Sequence, residues 1–441
     1  MQKAFQKLFF LSLILLFFSC QDEEVTPSTT DKYSHNVASS WVNLALDMVK
    51  NSPGFSPPVA ARTYGYLGLA MYEAARPGIT GYKTLGGQIN GLSEEAIPDA
   101  EPGLEYNWAL AVNAAAAEIL HACMDGARAE NAGIIESNLA VQTSLFKSDN
   151  SVAVVERSLA YGQQVGQAIV KFAGSDGQAE CYKSNFPANF KVPTGNGFWV
   201  PTSAQLIPLQ PYWGNVRSFG PGNPDVAVDP PLPYSTEPTS PFYKEAEDVY
   251  LISQGLSASQ KTIAEYWSDD PGKTATPPGH SLSIAKIVVS KQGVNLGKAV
   301  ETYAKVGMAV HDAFVSCWKT KYQYNLVRPI TYIRQQMNQS WTPILPTPPF
   351  PEYTSGHSVQ SGAAAQVLES LYGFEYAFKD NTHEQRSDIN GTPRNYVSFA
   401  DFANEAAISR FYGGIHYKKA IFEGVGQGRL VGLNVLKLQF K

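Results

Sequence analysis

Cysteine is scarce in this chain: four in 441 residues, with no Cys-x-x-Cys pair. That excludes a disulfide scaffold and leaves no zinc-ribbon or dithiol redox motif. Basic charge is not in excess either. With 34 Lys and Arg against 39 Asp and Glu the formal charge is −5, so no global positive field draws in nucleic acid or an anionic membrane surface, and any anion site must be local. After Phe18 no apolar run is long enough for a membrane-spanning helix. What the sequence does have is core-forming material, 44% hydrophobic and 12% aromatic residues against 17% charged, which excludes disorder as the dominant state.

The amino-terminus carries a targeting pattern. Lys3 and Lys7 flank the start of an apolar run, Leu8 to Phe18, that is too short to span a bilayer comfortably and is followed by Ser19-Cys20. The pattern resembles a bacterial lipoprotein signal peptide. It implies removal of residues 1–19, lipidation of Cys20, a polar tether over 20–33 and a folded body over 34–441. The acidic residues after Cys20 resemble the export tag of surface-exposed Gram-negative lipoproteins. The expectation is an extracytoplasmic, outer-membrane lipoprotein that meets the membrane only through its lipid. Cys123, Cys181 and Cys317 then allow at most one disulfide within the chain.

From His35 to about Gly174 apolar residues recur at spacings of three and four, predicting helices over Trp41–Val49, Ala60–Ala75, Leu104–Met124, Ile134–Leu145 and Val152–Phe172. Short Gly- and Pro-marked connections argue for antiparallel neighbours in a bundle. Twelve of the 29 prolines fall in 175–241, a density that no long helix crosses. The tryptophans and tyrosines there predict an extended excursion packed over the helical body. Helical periodicity returns from Pro241 to Ile333, again at Ser358–Leu371, and from about Phe399 to Phe440. The fold class expected is all-α, a large helical bundle with a long Pro-rich surface excursion.

Three stretches in the last third carry chemistry. In Lys321-Tyr322-Gln323-Tyr324-Asn325-Leu326-Val327-Arg328-Pro329, the Lys and Arg stand nearly two helical turns apart, on almost one face of a helix that Pro329 is expected to end. Two cations converging at a helix end favour an anion between them. In Phe350-Pro351-Glu352-Tyr353-Thr354-Ser355-Gly356-His357, Gly356 permits close backbone approach, Ser355 supplies a hydroxyl, and the N–H groups opening the next helix face an anion. In Ser409-Arg410-Phe411-Tyr412-Gly413-Gly414-Ile415-His416, the glycine pair can break the helix and re-aim the imidazole toward the site of Arg410.

Together and in this order the stretches resemble the signature of the vanadium-dependent haloperoxidase and type 2 phosphatidic acid phosphatase superfamily: Lys-x6-Arg-Pro, then Pro-Ser-Gly-His, then Ser-Arg-x5-His-x3-Asp. The resemblance implies that Lys321, Arg328, Ser355, Gly356 and Arg410 bind the oxyanion. It makes His416 the ligand of its vanadium or phosphorus, and His357 the acid–base residue. Two positions depart from the signature. Thr354 replaces Pro, and Ala420 replaces the Asp that would orient His416, leaving water, a carbonyl or Glu423 as substitutes.

The segments around Trp199, Trp213, Ala264–Asp269 and Thr276–His280 resemble the soluble bacterial vanadium haloperoxidases, which are all-α. Phe350 matches the aromatic of chloroperoxidases and of some bacterial iodide-specific members. By the same resemblance Asp269 or Asp270 pairs with Arg410. His280 and His311 read as structural, and Asp312 as support for the helix that bears Lys321. The resemblance thus implies vanadate as cofactor, with phosphate a competitor of like shape and charge, and hydrogen peroxide and a halide, iodide before bromide, as substrates. No nucleic-acid partner is expected, and no oligomeric state follows. Phosphomonoester hydrolysis through a phosphohistidine at His416 is the runner-up, and non-catalytic oxyanion binding the third reading.

Overall fold

The computed structural model describes residues 29–441. The signal segment, Cys20 and most of the tether lie outside the described residues. The last tether residues are packed: Thr30–Lys32 form a 3-10 turn, Thr30 is buried, and the Tyr33 carbonyl accepts from the Leu296 N–H at 2.8 Å.

The described residues form thirteen α-helices: α1 Asn36–Asn51, α2 Pro57–Ala75, α3 Trp108–Met124, α4 Asn131–Lys147, α5 Val152–Gly174, α6 Pro241–Gln254, α7 Ala258–Tyr266, α8 Thr276–Gln292, α9 Leu296–Tyr324, α10 Pro329–Gln336, α11 Gly356–Tyr372, α12 Phe399–Tyr412 and α13 Lys418–Leu436. Two three-residue strands, β1 Phe378–Asp380 and β2 Arg394–Tyr396, pair antiparallel with Phe378 opposite Tyr396. The all-α expectation holds. The strands were not foreseen because three residues are too few for an alternating pattern to show. α3 begins at Trp108 rather than Leu104 because the Asn107 side chain accepts from the Leu110 N–H and caps the helix there.

α9, 29 residues and about 44 Å long, is buried on every side from Leu296 to Trp318. A helix buried all round lies at the centre of a large core, its few polar side chains such as Asp312 bonded within it, and α2, α8, α11 and α13 pack against this one. α11 and α13 approach closely enough that a Cβ on Gly428 would lie 1.9 Å from the Val359 carbonyl oxygen, so only glycine fits. That contact fixes the start of α11 against the middle of α13, and at the start of α13 the Ala420 carbonyl accepts from the Ser355 N–H at 3.1 Å.

The Pro-rich excursion packs as expected and buries Trp199, Trp213 and Phe219. Asp312, on α9, pins it. Its carboxylate accepts from the Phe219 and Gly220 N–H groups at 2.8 and 2.7 Å and from Asn223 Nδ2 at 2.6 Å. Burial pushes this carboxyl up to about 7, against the pull of those donors. Farther back the excursion splints the chain after α9: Trp199 N–H donates to the Asn325 carbonyl at 2.6 Å and Val327 N–H to that of Gly197 at 2.8 Å. Cys123, Cys181 and Cys317 are buried free thiols, so the one disulfide the sequence allowed is not formed among them. No helix of the described residues is long and apolar enough to cross a membrane.

Candidate active site

α9 ends sooner than Pro329 requires. Asn325 takes the left-handed conformation, φ 49° and ψ 35°, and its N–H bonds to the Lys321 carbonyl at 2.8 Å, an αL helix stop to which Asn is suited. Lys321 and Arg328 therefore do not share a helical face. Lys321 sits in the last turn of α9, whereas Arg328 caps α10, and the splinted Leu326-Val327 segment brings the two together. Their convergence is tertiary.

Both cations are fully buried. Lys321 Nζ donates to the carbonyls of Pro351 at 2.9 Å, Glu352 at 3.0 Å and Thr354, so the ammonium has used its three protons on the backbone of the second motif. Desolvation lowers this amine to about 7. Arg328 Nε donates to the Phe350 carbonyl at 2.8 Å, and Nη1 to the Ile415 carbonyl at 2.7 Å and to His416 Nε2 at 3.1 Å. Nη2 is buried with no partner. Desolvation brings this guanidinium down to about 10.

Ser355 caps α11, its hydroxyl accepting from the Ser358 N–H at 3.4 Å. The N–H groups of Gly356 and His357 precede any intrahelical acceptor. A Cβ on Gly356 would meet only Trp318 and Phe314 carbons at 3.5 and 3.7 Å. The protein leaves room there, and Gly356 borders the cavity. His357 Nε2 is buried without a partner. Desolvation, with Arg410 adding repulsion, holds this imidazole well below the usual histidine range.

The glycine pair does break the third motif. α12 stops at Tyr412, and Gly414 turns the chain with φ 76°, a value that disfavours a side chain. Arg410 Nε donates to Ser409 Oγ at 3.0 Å and Nη2 to the Ala264 carbonyl at 2.9 Å. Burial lowers Arg410 to about 10, with Asp269 and Asp270 opposing. Neither aspartate bonds to it. Asp269 is committed instead to His280 and His383, so the expected Asp269–Arg410 pair is absent and the acidic support acts through space. Asp270, beside it, borders the cavity.

The residue that orients His416 is Glu352, which the sequence did not single out. Its Oε1 lies 2.8 Å from His416 Nδ1 and accepts the Tyr417 N–H at 2.9 Å. An arginine can only donate, so His416 Nε2 accepts from Arg328 and the ring proton sits on Nδ1, donated to Glu352. Glu352 thus does what the missing acid at 420 would do. Glu423, the substitute considered, bonds Lys419 instead, and Ala420 is buried in the α13 packing. Burial raises Glu352 to about 8, with Arg328 pulling the other way. Its Oε2 has no partner, so a proton there breaks neither bond. Desolvation and the Arg328 charge keep His416 well below its usual range.

His357, Arg410 and His416 line one cavity of about 350 Å³. Its walls are mostly apolar, with Phe314, Trp318, Leu345, Phe350 and Ile415 among them. The Phe350 ring centre lies 5.1 Å from that of Trp318, 5.1 Å from Lys321 Nζ and 4.9 Å from the Arg328 guanidinium carbon, close enough for cation–π attraction. The three motifs therefore form a buried, cation-rich end to an apolar pocket. An unpartnered donor at Arg328, a free ring nitrogen at His357 and a stretch of backbone without a side chain suit a tetrahedral oxyanion.

Comparison with known proteins agrees with this geometry. Residues 301–440 match the family model of the VCPO second helical-bundle domain. A vanadium chloroperoxidase of Curvularia inaequalis is 22% identical over 409 residues, 78% of this chain and 66% of that protein. The chain thus spans just under two thirds of that curated relative's length. A bacterial vanadium-dependent iodoperoxidase structure aligns with a TM-score of 0.82 at 36% identity, over 92% of this chain and 96% of the other. A bacterial vanadium-dependent chloroperoxidase in its holo form shares the fold, with a TM-score of 0.62 at 15% identity over 88% and 93% of the two chains. With the second and third motifs lining one cavity, the first bonded to both from behind its wall, and near full-length likeness to such an enzyme, the chain belongs to the vanadium-dependent haloperoxidase family and is an enzyme of that type.

Proposed function

We propose that this enzyme holds vanadate at the buried end of the cavity and uses hydrogen peroxide to oxidise iodide to hypoiodous acid, with bromide second and chloride negligible. The observation that carries the reading is a pair of buried, unmatched polar atoms, the Arg328 Nη2 donor and the His357 Nε2 ring nitrogen, with His357, Arg410 and His416 lining one cavity and Arg328 bonded to His416 behind its wall. Arg328, Arg410, Ser355 and the Gly356 backbone would hold the anion, with Lys321 acting through its charge alone, and His416 Nε2 would ligate its vanadium. Vanadate bound there supplies a Lewis acid that polarises peroxide toward halide attack without changing its own oxidation state.

The chain's residues do the rest. When an oxyanion takes the Arg328 N–H groups, the His416 Nε2 lone pair is released, while Glu352 keeps the proton on Nδ1. His357, held neutral by burial, can accept the peroxide proton at Nε2 and return it later. The Phe314, Trp318 and Phe350 wall excludes water. Read with the amino-terminal targeting pattern, this chemistry takes place outside the cytoplasm on a lipid-anchored protein.

Two results test the reading. Glu352→Ala leaves two buried donors without their acceptor and should weaken vanadate binding about 10- to 100-fold. Glu352→Gln keeps an acceptor oxygen and should recover most of it, as read by calorimetric titration. Halide scope follows from the wall. Iodide is the easiest halide to oxidise and the most weakly hydrated, so an apolar pocket costs it least. Steady-state rates at matched peroxide should run iodide, bromide, then chloride, and chloride turnover comparable to iodide would refute the order. Turnover of a chromogenic phosphate ester without peroxide-driven halide oxidation would favour the phosphatase reading.

A further inference from the structure

Behind the oxyanion cavity, Asp269 faces two imidazoles. Its Oδ2 lies 3.0 Å and its Oδ1 3.2 Å from His280 Nδ1, and Oδ1 lies 3.0 Å from His383 Nε2. One ligand atom from each of the three residues lies within 4.8 Å of the others, and all three side chains are buried. They come from separate places: the turn after α7, the start of α8, and the loop between β1 and β2.

We propose that Asp269, His280 and His383 form a zinc site that staples these three segments together beside the oxyanion pocket. The donor set is that of three-ligand zinc centres, two imidazole nitrogens and a carboxylate oxygen. Tetrahedral zinc with bonds of about 2.0–2.1 Å places its ligand atoms about 3.3 Å apart, and the Asp269–His280 and Asp269–His383 separations of 3.0–3.2 Å are near that edge length.

A second observation is the support behind His280. Its Nε2 lies 2.8 Å from Asp380, whose carboxylate also accepts from Tyr266 Oη at 2.9 Å and from the Thr382 N–H at 2.9 Å. A carboxylate on the far nitrogen is the usual partner of a metal-bound imidazole, since it fixes the tautomer that frees Nδ1.

The third observation is access. A cleft of about 270 Å³ is lined by Asp269, His280 and His383, with Asp47 and the cations Lys50, Lys273, Lys286 and Arg386 also along it. It gives an entry path and room for water as fourth ligand. The bound ion displaces the proton on His280 Nδ1 and takes the His383 Nε2 lone pair, that ring's proton then lying on Nδ1, so that one dication faces the two carboxylates, Asp269 and Asp380. The site also abuts the oxyanion cavity, because Asp269 lines both.

The test uses the full chain, stripped with a chelator and free of vanadate, so that its outcome does not depend on the haloperoxidase reading. Co2+ is the spectroscopic probe. The expected result is one equivalent bound with the intense visible bands of a tetrahedral ion, displaced by one equivalent of Zn2+, and a melting temperature raised by Zn2+. His383→Ala and Asp269→Asn should each lower Co2+ affinity at least 100-fold. His121→Ala, which removes a surface histidine held between Asp125 and Glu136, should leave it unchanged. Absence of stoichiometric tetrahedral Co2+ in the wild-type chain overturns the proposal, whatever the variants do. So does binding that survives both cluster substitutions or is lost in His121→Ala. In those cases the three residues are a hydrogen-bonded ion-pair lattice and nothing more.

Discussion

His416→Ala is expected to abolish vanadate retention, whereas His357→Ala should keep the anion and lose about 10²- to 10⁴-fold in peroxide-driven halide oxidation. The two imidazoles line the same cavity, but their surroundings separate their tasks. His416 is gripped on both nitrogens, by Glu352 at 2.8 Å and Arg328 at 3.1 Å, so its ring is fixed and its one accepting nitrogen lies where the cations converge. That is the setting of a ligand. His357 has a buried Nε2 with no partner and is kept neutral by burial and by Arg410, which is the setting of a group that takes a proton and gives it back. Vanadium content after gel filtration, measured beside iodide oxidation at saturating vanadate, separates the two. Equal loss of metal in both variants would contradict the assignment.

The helical body was legible because its apolar spacing is local, and the three motifs because their chemistry is written in short runs. What escaped was tertiary. Lys321 and Arg328 look like one helical face on paper, yet Asn325 ends the helix between them. Glu352 lies within the second motif, but its partner His416 is 64 positions away, and no spacing rule links them. The available signal was a lone acid, Glu352, in the Pro-rich, apolar stretch Trp341–Tyr353. Buried there, a carboxylate must have a specific partner. Ala420 was the complementary clue, since a family acid missing at one position calls for an acid from elsewhere. His280 was read as structural for want of a partner at a motif spacing, and the fold supplies Asp269 at 11 and Asp380 at 100 positions.

The charges at the proposed oxyanion site are unequal, and this sets the size of the last effect. Lys321 spends its three protons on backbone carbonyls and loses its charge near 7. The permanent positive charge then rests on Arg328 and Arg410, both lowered only to about 10. Arg410→Ala removes one of these two from a buried site and leaves the anion under-neutralised, which should cost roughly 2–5 kcal/mol of vanadate binding. Arg410→Lys should recover little, because the fork is held by Ser409 and Ala264 through two different nitrogens, Nε and Nη2, and a lysine amine cannot reproduce that geometry. In the wild type and the variants alike, vanadate affinity should rise as pH falls through about 7, where Lys321 regains its proton and adds a positive charge beside the anion. Vanadate affinities of the wild type and both variants, measured on either side of that pH, would test the argument. Unchanged affinity in Arg410→Ala would remove Arg410 from the site, and affinities that do not rise below that pH in any of the three proteins would remove Lys321 from the charge balance.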